Sequence, residues 1–126
     1  MKRSWIGFLL IILAIGICIT EHILTKNMSE NISSSLNQIL DSASSEDLET
    51  ATNFNKSLEK DWSYYQKPMS IFISHDILDD INKTLSEIEI QIENEEFYDV
   101  SVNVSLAKSQ IESIKENEKL SIGNVL

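Results

Sequence analysis

The sequence predicts an all-α protein: a single N-terminal transmembrane helix, then a small helical bundle that ends in an antiparallel helical hairpin. Three observations carry this. Trp5 to Ile19 is an apolar run with no charged side chain. After it, apolar residues recur at three- and four-residue intervals over helix-length stretches. Turn formers are scarce, with 3 glycines and 1 proline in 126 residues, so few loops are expected.

The apolar run organises the chain. Lys2 and Arg3 precede it, and all 20 acidic residues follow it against eight lysines, a net charge of −12 from Glu21 onward. The basic flank is expected to stay in the cytoplasm and send the remainder across the membrane. Residues 1–22 are therefore expected to form the anchor, and residues 23–126 an acidic extracytoplasmic helical domain. The small residues of a signal cleavage site are missing after Ile19, where Thr20, Glu21, His22, Ile23 and Leu24 follow, so the anchor is expected to be retained. Cys18 resembles a lipid-attachment position, but bulky Ile17 stands before it. Residues 5–20 rise roughly 24 Å as a helix, short of a ~30 Å hydrocarbon core. Trp5, Ser4 and His22 would then lie at the interfaces. An outer part this acidic is repelled by phosphate backbones, which argues against nucleic acid as a partner. With one cysteine in the chain, no internal disulfide can form.

The first bundle helix is expected over 24–43, continuous with the membrane helix. Its stripe is Met28, Ile32, Leu36, Ile39 and Ala43. Ser45 and the following acids suggest a cap and a second helix over 46–66, with Leu48, Ala51, Phe54 or Asn55, Leu58, Trp62 and Tyr65 inward. Pro68 marks either the start of a third helix or a kink in one longer rod, and the new start is preferred, with that helix over 69–93. Ile71, Phe72, Ile73, Ile77 and Leu78 cover more than one face there, which suggests burial on several sides. The spacing from Ile81 through Leu85 and Ile88 to Ile92 is regular. Glu87–Ile92 and Asp99–Val104 alternate as two strands of a hairpin would. Helical spacing wins over that pattern, because Phe97, Val100, Val104, Ala107, Ile111 and Ile114 keep one face over five turns. A fourth helix is thus expected over 96–117, entered through Asn94 to Glu96, with Ile90 on the third helix and Val102 on the fourth as extra apolar positions flanking the stripes. Gly123 is expected to separate it from an apolar tail over 119–126.

Trp62, the stretch Ile73 to Ile81 (ISHDILDDI), the acidic hairpin and the ending Lys119 to Leu126 (KLSIGNVL) together resemble the bacterial family called domain of unknown function 4363. The resemblance covers most of the chain, with Val125 where the family tail has Ile. It implies small proteins with one N-terminal membrane segment and a helical remainder. It also implies a membrane partner, through relatives encoded beside a multi-pass membrane protein. The family has no established activity, so no catalytic residue is implied.

Candidate sites follow from residue chemistry. His75 and Asp79 share a helix face at i, i+4, and with Asp76 they form the one weak candidate metal or acid–base cluster. One His without a second His or Cys is an incomplete zinc set, so His75 as a capping or packing residue is the simpler reading. Trp62, His75, Leu120, Ile122, Val125 and Leu126 are the candidate partner-binding residues, the last four because an apolar terminus is unfavourable in water. No phosphate loop or nucleophile elbow occurs, and neither a cofactor nor catalysis is expected. The function expected is a membrane-anchored interaction or accessory subunit, binding a membrane protein or a second copy of itself. A ligand-sensing helical domain is the alternative, and a metal-dependent enzyme using His75 a more distant one.

Overall fold

The computed structural model describes the backbone of residues 2–125 and the side chains of residues 2–116. It contains four helices, α1 (Lys2–Ser44), α2 (Leu48–Met69), α3 (His75–Glu93) and α4 (Phe97–Val125). Both alternating segments, Glu87–Ile92 and Asp99–Val104, are helical.

α1 is one uninterrupted helix of 43 residues, about 64 Å long at 1.5 Å per residue. Its apolar N-terminal half is exposed on all sides, and by length and composition it can cross a membrane. Its second half is buried in a seven-residue pattern. Thr25, Ile32 and Ile39 repeat one position, Met28, Ser35 and Ser42 a second, and Ser29, Leu36 and Ala43 a third. A stripe this wide covers two neighbours, because α1 packs against both α2 and α4. α3 packs on α4 and, less extensively, on α2, which closes the ring. The three connections, residues 45–47, 70–74 and 94–96, are too short for anything but antiparallel neighbours. The bundle therefore runs away from the apolar segment, back, away and back again.

The core is one cluster from all four helices, among it Met28, Ile32, Leu36, Leu58, Trp62, Met69, Ile81, Ile88, Val104 and Ile111. Polar pairs fix the helix registers at its edges. The Asn31 amide donates to the Tyr65 hydroxyl between α1 and α2. Lys108 Nζ donates to Asn37 Oδ1 at 2.7 Å between α4 and α1, and Asn103 Nδ2 donates to Gln91 Oε1 at 2.8 Å between α4 and α3.

The two turns far from the apolar segment are built alike. Glu46 and Glu95 adopt positive φ, 54° and 55°. The next amide in each turn reaches five residues back, Asp47 N to Ser42 O and Glu96 N to Gln91 O, both at 2.9 Å. This closes the preceding helix in a Schellman arrangement. The cap of α2 is Asp47 rather than Ser45, accepting from Thr50 N at 3.2 Å and Thr50 Oγ1 at 2.6 Å. Ser45 Oγ instead bonds the Asp41 carbonyl at 2.8 Å, within the turn that ends α1. Asn94 closes α3 and does not open α4. Leu48, expected inward, lies at the exposed start of α2.

The region around the proline departs most from expectation. Pro68 lies in the last turn of α2, and the third helix starts at His75 rather than near 69. A proline there forfeits one intrahelical bond close to where the ladder stops anyway, and buried Met69 holds the turn in the core. Ser70 N then caps Gln66 O at 3.0 Å, and Ile73 N bonds Met69 O at 2.9 Å. Residues 71–73 thus form a tight connection rather than a segment buried on several sides, and Ile71 is 79% exposed. At the far end α4 continues to Val125, past Gly123, because one helical glycine costs only about 1 kcal/mol.

Candidate functional site

Where α2 ends and α3 begins, Ser63, Gln66, Lys67, Ser70, His75, Leu78 and Asp79 line an open cleft of about 300 Å³. α2 supplies its polar residues at i, i+3 and i+4, the spacing of one helix face. α3 supplies His75 and Asp79 in the same way. Ser74, in extended conformation before His75, makes no side-chain capping bond. His75 and Asp79 therefore share one wall, as the sequence suggested. Asp76 is exposed and lies outside the lining. Among the described residues no three His, Cys, Asp or Glu side chains are grouped to hold a metal ion. The arrangement suits hydrogen bonding to a small polar group.

Trp62 is a core residue. It is 4% exposed, and its Nε1 donates to Asn82 Oδ1 on α3 at 2.7 Å. Burial with a polar partner is what the indole's dual chemistry allows, and Trp62 takes the inward place expected of it in the second helix. Tyr64 is the exposed neighbour, packed edge-on against Tyr65 with ring centroids 5.4 Å apart. The side chains of Leu120, Ile122, Val125 and Leu126 lie outside the described residues.

Two arrangements go beyond the sequence expectations, which named Ile90 and Val102 only as positions flanking the core stripe. On α4, Tyr98, Val102 and Leu106 follow one another at four-residue spacing and are all exposed, Tyr98 by 81%. Exposed Ile90 on α3 faces outward from the same hairpin. The spacing was the available signal, overshadowed by the stronger core stripe beside it. The second arrangement joins α2 to α3. Partial burial pushes the Glu59 carboxyl above its ordinary range, and the hydrogen bond and negative charge of Glu89 push it further, with Glu93 adding to the effect. Asn55 Nδ2, one turn back, donates to Glu59 at 3.4 Å and works in the opposite sense. Asn55 is itself buried, and among the described residues its Oδ1 has no hydrogen-bond partner.

Among curated proteins and among solved structures nothing matches the chain. A family model matches residues 19–125, the second half of α1 and all of the bundle. The chain belongs to the family described as Domain of unknown function (DUF4363).

Proposed function

We propose that this protein is a membrane-anchored interaction subunit, held by the apolar half of α1 with Lys2 and Arg3 on the cytoplasmic side, and that it works by binding a protein partner rather than by catalysis. The observation that carries this reading is the apolar stripe Tyr98, Val102 and Leu106 on the outer face of α4. A helix that already buries Val100, Val104, Ala107 and Ile111 in its own core gains nothing within the monomer from a second apolar stripe. Aromatic and aliphatic side chains at i, i+4 and i+8 are what a helix-on-helix contact uses. The one-piece α1 supports the reading further, since it places the stripe at a fixed height above the bilayer.

The test is a photo-reactive amino acid at Val102 in the full chain, irradiated in the membrane of the source cell. A discrete adduct is expected that disappears when Leu106→Glu is added, while helical content stays unchanged. If Val102 gives no adduct, or if the adduct survives Leu106→Glu, the stripe is not an interface. The cleft at His75 supports a second reading, a domain that senses a small polar ligand. Ligand-dependent protection of Lys67 or His75 from chemical modification would favour it.

A further inference from the structure

We propose that the connection between α2 and α3, with Ile71 at its tip, is a second membrane contact that dips into the lipid headgroup layer beside the α1 anchor. The inference rests on the anchor reading above and concerns the lower end of the bundle rather than the α4 stripe.

Topology supplies the first argument. α1 leaves the apolar segment and α2 returns, so residues 70–74 lie at the bundle end nearest that segment. The Asn31–Tyr65 hydrogen bond sets the height. Ile71 lies six residues beyond Tyr65, four of them in α2 and two in the turn, at most about 9 Å along the helix axis. The same step back along α1 from Asn31 reaches Thr25. Another such step reaches Ile19, where the charge-free run ends. The headgroup layer on each side of a bilayer is roughly 5–8 Å thick. Residues 5–20 are also about 6 Å shorter as a helix than the hydrocarbon core, which draws the bundle toward the lipid. Ile71 is thereby brought to the headgroup level.

The second argument is composition at the two ends. The upper turns carry Asp41, Glu46, Asp47 and Glu49 on one side and Glu93, Glu95, Glu96 and Asp99 on the other, with no basic residue among residues 41–50 or 92–99. The lower connection, residues 70–74 (SIFIS), has no acid and follows Lys67, with Asp76 in the first turn of α3 as the single acid among residues 67–78. An apolar tip beside a lysine suits a lipid interface, and the acidic end suits water.

The third argument is the conformation of the tip. Ile71 N bonds Pro68 O at 3.3 Å and Phe72 N bonds Met69 O at 3.0 Å, so the backbone is held. Phe72 and Ile73 are half-buried, and Ile73 packs on the core. Of the three apolar residues of the connection, Ile71 is the one turned outward, 79% exposed.

The experiment uses the full chain carrying Cys18→Ser, with a single cysteine at Ile11, Ile71 or Glu95 bearing an environment-sensitive fluorophore, in phosphatidylcholine vesicles. The Ile11 label should be quenched by doxyl-labelled lipid and shielded from iodide. The Glu95 label should show the reverse. The Ile71 label should be quenched by shallow doxyl lipid, with iodide quenching several-fold weaker than at Glu95. A label at Ser74 guards against insertion driven by the fluorophore: its lipid quenching should fall when Ile71→Asp is introduced. If the Ile11 label is in lipid but the Ile71 label is as open to iodide as Glu95, the loop contact is refuted and the anchor stands. If Ser74 quenching is indifferent to Ile71→Asp, the contact is refuted as well. If the Ile11 label is not in lipid, the anchor reading fails and the loop contact falls with it.

Discussion

Trp62 and Asn82 are joined by a 2.7 Å hydrogen bond from the indole Nε1 to the amide oxygen, across the least extensive of the helix–helix contacts, α2 on α3. The indole is buried and Asn82 is half-exposed, so the acceptor can turn to water but the donor cannot. Asn82→Leu should therefore destabilise the bundle by about 1–3 kcal/mol, the cost of an orphaned buried donor. In a double-mutant cycle with Trp62→Phe, which removes that donor, the two losses should fall short of additivity by about 1 kcal/mol. Chemical denaturation of the detergent-solubilised full chain measures both. Strict additivity would show that the bond contributes nothing.

The same α2–α3 seam carries a pH dependence. The Glu59 carboxyl is held above its ordinary 4.5 by partial burial, then by Glu89 and Glu93. A raised carboxyl favours the fold fully below its unfolded value, and that contribution is lost as pH rises through the folded value. Glu59→Gln keeps a neutral hydrogen-bonding side chain at every pH. The variant should therefore be more stable than the parent at neutral pH, by ~0.5 kcal/mol or less because the pair is largely solvated. The advantage should vanish by about pH 4. Denaturation midpoints at the two pH values check the sign.

Much of this bundle was legible in the chain, for a physical reason. The stripes of α1 and of the α3–α4 hairpin repeat over many turns, so the three- and four-residue spacing outlasts the local strand-like alternation. Residues 66–75 were not legible. A proline fits the first or last turn of a helix, and the Ile71–Phe72–Ile73 run has no period that could decide between them. Long-range polar pairs such as Asn37 with Lys108 leave no trace in sequence, since neither residue type demands a partner. The candidate site was half legible. His75 and Asp79 share a wall because i, i+4 spacing dictates it, whereas α2 completes that wall with Lys67 and Ser63 through tertiary packing alone. Trp62 was legible as an inward residue of the second helix, and it also stood as a partner-binding candidate because an indole suits a core and an interface equally.

The two upper turns offer a stabilising change. Glu46 and Glu95 occupy left-handed backbone conformations that cost an L-residue roughly 1–2 kcal/mol. Glycine avoids that cost but loses about 0.5–1 kcal/mol in backbone entropy. Glu95→Gly should then raise stability by about 0.5–1 kcal/mol, or a few degrees in melting temperature. Glu95→Val should lower it. A loss on Glu95→Gly would mean that the Glu95 side chain makes a contact stronger than the backbone strain.

The hairpin itself separates fold from surface within one helix pair. Ile88 and Ile111 are fully buried, while Ile90, two residues from Ile88, is 56% exposed. Placing aspartate at 88 or 111 forces a carboxylate into the core without a partner, and each change should cost more than about 3 kcal/mol and lower the melting temperature sharply. Ile90→Asp puts the same charge into water and should shift stability by less than about 0.5 kcal/mol. Circular dichroism melts of the three variants decide the matter. Equal losses at all three positions would mean that α3 also buries its outer side against something, and the outward face of the hairpin would already be occupied in the folded protein.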